Sequence, residues 1–107
     1  MTDYVESLTA IQSSIDKALE TTEADKAASP VLLAVVREFA KKAGKAIKFA
    51  GDGKGWEATI ELEQAGDSAK YAVEADEGVA ESTRKAVLDA HLAICVYKAE
   101  QDKARSS

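Results

Sequence analysis

Between Lys45 and Glu77 the chain alternates apolar and polar side chains with few interruptions. In Trp56-Glu57-Ala58-Thr59-Ile60-Glu61-Leu62-Glu63 every even position except the alanine is large and apolar and every odd one is polar, the period of a strand that buries one face. Ile47 and Phe49 alternate around Lys48 before it, and Tyr71, Val73 and Ala75 around Ala72 and Glu74 after it. The pattern predicts strands over Ala46–Ala50, Trp56–Glu63 and Lys70–Asp76. Gly51-Asp52-Gly53-Lys54-Gly55 and Gln64-Ala65-Gly66-Asp67-Ser68 supply the turns, since glycine admits positive φ at little steric cost.

Helical periods flank this stretch. Tyr4, Leu8, Ile11, Ile15 and Leu19 step by three and four and form one stripe on a helix from Asp3 to Thr22, with Thr2 or Asp3 as its cap. Residues 21–29 are polar and lack the stripe, as a linker does. Ser29-Pro30 reads as N-cap and first helical position, because proline's missing donor costs nothing there. Leu32, Val35, Val36, Phe39 and Ala43 then share a face, and Gly44 follows where a left-handed C-cap would stand. A last helix begins near Val79 or Ser82 and runs to Gln101.

These elements predict an α+β fold: a three-stranded antiparallel sheet covered on one face by two helices (α-β-β-β-α), with an additional N-terminal helix. Residues 1–29 would form the helix and linker, and residues 30–107 the domain. An all-α helical bundle is the alternative, because the Ala, Glu, Leu and Gln of residues 57–65 favour helix. As a helix, however, residues 56–75 would set Trp56, Ile60 and Tyr71 on one side and point Leu62 and Val73 away from them.

The Leu32-Leu33 start with Glu38 in the helix after the linker, the glycine-rich first turn, and Gly78 followed by Ser82, Ala86 and Ala90 carry a resemblance to a known family. In this order of elements, residues 30–101 resemble the double-stranded RNA-binding domain. That family meets phosphates with a Ser-Lys-Lys-x-Ala-Lys run at the last helix start. Here the run reads Ser82-Thr83-Arg84-Lys85-Ala86-Val87 and keeps Arg84 on a basic position. The resemblance implies RNA contacts through Lys41, Lys42, Lys54, Arg84 and Lys85.

Charge weighs against that role. The chain of 107 residues has a net charge of -5, and residues 1–29 hold two lysines against six carboxylates. Glu57, Glu61, Glu63, Glu74 and Asp76 share the outward side of the expected sheet with Lys48, a surface that would repel phosphates. The same carboxylates suggest a weaker reading as a metal-dependent enzyme holding a hard cation. As a plain solvated face they would keep a sheet edge from pairing.

His91 and Cys95 lie four apart on the last helix and point the same way, the spacing of two zinc ligands or of a thiol beside a base. Neither residue type occurs again, so a packed histidine beside an inert cysteine explains them as well. A single cysteine excludes an intrachain disulfide and suits a reducing, cytoplasmic setting. No segment has the apolar length of a membrane span.

No nucleophile, acid–base pair or ligand set is assembled by spacing alone. The expected function is therefore a small non-enzymatic binding or adaptor module without cofactor, metal or membrane. Its partner is another protein or a second copy, and the stripe Tyr4, Leu8, Ile11, Ile15 and Leu19 is the self-association surface. Double-stranded RNA binding is the alternative.

Overall fold

The structure, a computed structural model, describes residues 4–51 and 54–106. It contains four helices: α1 (Tyr4–Ala24), α2 (Pro30–Lys48), α3 (Gly55–Ala75) and α4 (Glu81–Ser106). α1 packs beside α2 and α4, and α3 beside the same two, so the helices form a closed ring. Short connections make consecutive helices antiparallel. The bundle measures 44 × 21 × 18 Å.

The α+β expectation is overturned, and the all-helical alternative describes the chain. Among the described residues there is no strand. Ala46–Lys48 close α2, and Trp56–Glu63 and Lys70–Ala75 are parts of α3. The resemblance to the double-stranded RNA-binding domain falls with the sheet, because it rested on the order helix, three strands, helix. Gln64–Ser68, expected as a turn, is the middle of α3.

The physical reason lies in which residues of α3 face inward. Its buried positions are Ala58, Thr59, Leu62, Gly66, Ala69 and Val73. From Thr59 onward they step by three and four, as knobs-into-holes packing requires. Small and polar residues occupy most of those sites. Meanwhile three of the large residues that produced the alternation lie off the face: Trp56 and Ile60 are half-buried, and Tyr71 is 68% exposed.

The other helices keep the same seven-residue rhythm: Leu8, Ile11, Ile15, Ala18 and Thr22 on α1, and Leu32, Val36, Phe39, Ala43 and Ala46 on α2. On α4 it is Thr83, Val87, Ala90, Ile94 and Tyr97. At the centre Phe39, with no exposed surface, lies against Gly66. A Cβ at residue 66 would stand 3.1 Å from Cζ of that ring and 3.2 Å from Cγ2 of Ile94. The glycine therefore lets α3 approach two neighbours at once. The three buried threonines are satisfied without a polar partner in the core centre: Thr22 donates to Ala18 O at 2.7 Å, Thr59 to Gly55 O at 2.9 Å, and Thr83 to Asp25 at 2.7 Å.

Ser29 caps α2 as expected, accepting from the Leu32 amide at 3.1 Å with Pro30 in the first turn. α2 does not stop at Gly44, since Ala46 continues the buried rhythm, and it ends at Lys48. The expected caps Thr2 and Asp3 lie outside the described residues, as do Asp52 and Gly53 of the first turn. Gly51 takes a positive φ of 82°. Gly55 is required by space, because a Cβ there would meet Phe49 O at 2.8 Å.

At the opposite end the two remaining connections hold each other. Asp25, after α1, accepts from the Ala80 amide at 2.9 Å and from the Thr83 hydroxyl at the start of α4. Its other oxygen accepts from the Ala27 amide at 2.9 Å. Asp76, after α3, accepts from the Ser29 amide at 2.9 Å at the start of α2. The Thr83 hydrogen bond, followed by those from Ala80 and Ala27, holds the Asp25 carboxyl below its ordinary pKa.

Two outcomes follow from this packing. Phe39→Ala should cost about 3–5 kcal/mol. Gly66→Val should cost about 1–3 kcal/mol by overpacking, and less in a Phe39→Leu background; equal costs in both backgrounds by urea unfolding would deny the pairing. Asp25 stabilises the fold above its unfolded pKa, and that contribution is lost as pH falls through its lower folded value. Thermal melts of Asp25→Asn should therefore show a shallower acid-side loss than wild type.

Candidate functional site

Polar chemistry gathers where α3 and α4 meet at the surface. The heptad rhythm places Glu63 and Asp67 of α3 and His91 and Cys95 of α4 at the edge of this seam, just outside the core positions. Each pair is four residues apart and so shares one helix face. The helices run antiparallel, which sets Asp67 opposite His91. The His91 Nε2–H donates to Asp67 Oδ1 at 2.8 Å. An ionised carboxylate only accepts, and this fixes the neutral ring's proton on Nε2.

Cys95 Sγ lies 3.4 Å from the same Nε2 and 4.0 Å from Nδ1. One donor atom from each of Asp67, His91 and Cys95 falls within 4.8 Å of the other two. The side chain of His91 is 16% exposed and that of Asp67 47%. Burial, followed by the charges of Glu63 and Asp67, pushes the Cys95 thiol above its ordinary pKa. Glu63 in turn lies 3.8 Å from Lys98.

The spacing of His91 and Cys95 was visible in the sequence, whereas Asp67 was assigned to a turn. Nothing local marks it; only the pairing of α3 with α4 brings it to the imidazole. The carboxylates expected on one sheet face are dispersed instead. Glu61 accepts from Lys45 at 2.9 Å and Lys42 at 3.0 Å, Glu74 pairs with Lys70 at 3.5 Å, and Asp76 serves Ser29. Lys45, then Lys42, holds the Glu61 carboxyl below its usual pKa. No hard-cation site forms from them.

The lysines and arginine named for RNA are divided between the two ends of the bundle. Lys41, Lys42 and Lys54 lie toward the α2–α3 connection, and Arg84 and Lys85 at the start of α4. Lys42 is engaged by Glu61, Arg84 by Glu81 at 2.7 Å and the Asp76 carbonyl, and Lys85 by Asp89 at 2.6 Å. They form no common surface.

The stripe of α1 lies inside the bundle: Leu8, Ile11 and Ile15 are buried, Leu19 is half-buried, and Tyr4 is exposed at one end. The surface sought for this stripe is provided by α2 and α4 of the same chain. Trp56 lies at that same end under the Arg105 guanidinium, 4.4 Å from the ring centroid. Beside it is an open cavity of about 300 Å³ that Tyr4, Tyr97 and Gln101 also line.

The outer face shared by α1 and α2 is divided by charge. Glu6, Asp16, Glu20 and Glu23 are exposed on α1, and Arg37, Lys41 and Lys48 on α2, while Lys45 turns the other way, to Glu61 of α3. Glu23 meets Arg37 at 3.5 Å, and Gln12 lies beside Gly44. These contacts set the register, bringing Asp16 and Glu20 to the height of Lys41 and Arg37.

Fold and surface thus define the class: an antiparallel four-helix bundle with a polar seam between its last two helices. No family model matches the chain, and comparisons with curated proteins and with solved structures gave no significant match. No helix among the described residues is long and apolar enough to cross a membrane.

The raised thiol pKa has a direct readout. Alkylation of Cys95 should require more alkaline pH than a free cysteine needs, and Asp67→Asn should shift the profile back toward neutral. A midpoint below that of free cysteine would contradict this electrostatic account.

Proposed function

We propose that the protein is a non-enzymatic binding module that works as a homodimer, two copies joined through the α1–α2 face. One observation carries the reading: acidic and basic rows lie side by side on that face, at matching heights. A twofold axis parallel to the bundle lays α1 of each copy over α2 of the other. Asp16 then meets Lys41 of the second copy, and Glu20 meets its Arg37. Asp16, Glu20 and Lys41 make no ion pair within their own chain among the described residues, so their charges are available for this contact.

Such an isologous contact is self-complementary and closes at two copies. Its strength is modest. Exposed ion pairs contribute about 0–1 kcal/mol each and weaken with salt, so the dimer assembles at low ionic strength and exchanges readily.

Charge reversal tests the pairing. Asp16→Lys with Glu20→Lys, and separately Arg37→Glu with Lys41→Glu, should each give a monomer by sedimentation, while wild type dimerises at low salt. Mixed together the two variants should form a heterodimer, since both halves of the contact are then complementary. A monomeric wild type, or a mixture that stays monomeric, would refute the proposal.

A further inference from the structure

The α3–α4 seam brings together a set of side chains that hydrogen bonding alone does not explain. His91 Nε2 contacts both Asp67 Oδ1, at 2.8 Å, and Cys95 Sγ, at 3.4 Å. A neutral imidazole nitrogen carries at most one proton, so it serves only one of these neighbours as a donor. With that proton given to Asp67, the thiol has only Nδ1 at 4.0 Å, the limit of a sulfur contact. Three donor atoms of different chemistry nevertheless converge, each within 4.8 Å of the other two.

We infer that Asp67, His91 and Cys95 form a binding site for a zinc-class divalent cation, with water in the fourth position. Bonds of about 2.0 Å to nitrogen and oxygen and about 2.3 Å to sulfur, at tetrahedral angles, set donor atoms roughly 3.3–3.6 Å apart. The observed separations, 2.8 Å from nitrogen to oxygen, 3.4 Å from nitrogen to sulfur and all three atoms within 4.8 Å, bracket that geometry. The mixture of ligands selects the ion. A thiolate and an imidazole suit zinc or cobalt, whereas magnesium and calcium take oxygen.

The charges balance as well. Carboxylate and thiolate neutralise the dication, and Glu63 beside the site is matched by Lys98 at 3.8 Å. On binding, the Cys95 S–H bond is replaced by a sulfur–metal bond and its proton goes to the buffer. The His91 proton moves from Nε2 to Nδ1, leaving the ring neutral. One proton is therefore released per metal ion. The site is separate from the α1–α2 face and does not depend on dimer formation.

The test uses the full chain, stripped of metal with a chelator. Calorimetric titration with zinc in buffers of different ionisation enthalpy should give one ion and one released proton per chain. Cobalt should give a sulfur-to-cobalt charge-transfer band together with the visible bands of a four-coordinate ion. Cys95→Ser should abolish the charge-transfer band, and His91→Ala and Asp67→Asn should weaken zinc binding on the order of a hundredfold. Magnesium and calcium should leave the protein unchanged. Circular dichroism establishes that each variant is folded, and the isosteric Cys95→Ser carries the test if His91→Ala is not. Absence of stoichiometric zinc uptake, cobalt binding without the sulfur band, or equal affinity in folded variants would each overturn the assignment.

Discussion

The contact between the ring of Phe39 and the bare backbone at Gly66 sets the spacing of this bundle. Phe39 is the largest fully buried side chain, and it fills the volume that any side chain at residue 66 would need. Ile94 reaches the same place from α4. Three helices therefore converge on one glycine, and the rest of the core follows from it. Close approach at mid-height suits the alanines at positions 43, 69 and 90, while larger residues such as Leu8, Leu32 and Tyr97 fill the layers toward the ends. Helix interiors ordinarily disfavour glycine by about 1 kcal/mol. Here the packing it permits outweighs that cost, because a larger residue would displace a ring from a filled core.

The same contact explains why much of the fold was hidden in the sequence. The stripe of α1 was legible in Leu8, Ile11 and Ile15, and the start of α2 in Ser29-Pro30, because these signals are large or chemically distinctive. α3 was not legible. Its inward face is made of Thr59, Gly66 and Ala69 around Leu62 and Val73, residues that count as polar or turn-forming when read singly. Trp56, Ile60 and Tyr71, the loudest residues of the stretch, sit away from the core and happen to fall in a strand-like phase. Gly66-Asp67-Ser68 then imitated a turn. Hydrophobic periodicity reports size as much as direction, and it misleads where a helix is buried through its small residues.

The site divides in the same manner. His91 and Cys95 could be paired by spacing because both lie on one helix. Asp67 could not join them until α3 was known to be a helix packed antiparallel to α4. The carboxylates of the supposed sheet were likewise assigned a shared face by the wrong period; at 3.6 residues per turn Glu61 is directed to α2 and Glu63 to α4. One error of period thus both concealed a cluster and created one.

The reciprocal grip of Asp25 and Asp76 has a consequence for how the molecule comes apart. Each carboxylate sits in the turn of one helical hairpin and secures the start of a helix belonging to the other, across 55 and 47 residues of chain. Neither hairpin can fray at this end without uncapping its neighbour. The beginning of α3 has no side-chain cap of this kind. Opening is thereby directed toward the far end: the bundle is a pair of tongs riveted where its two hairpins cross-link, and it yields first at the tips.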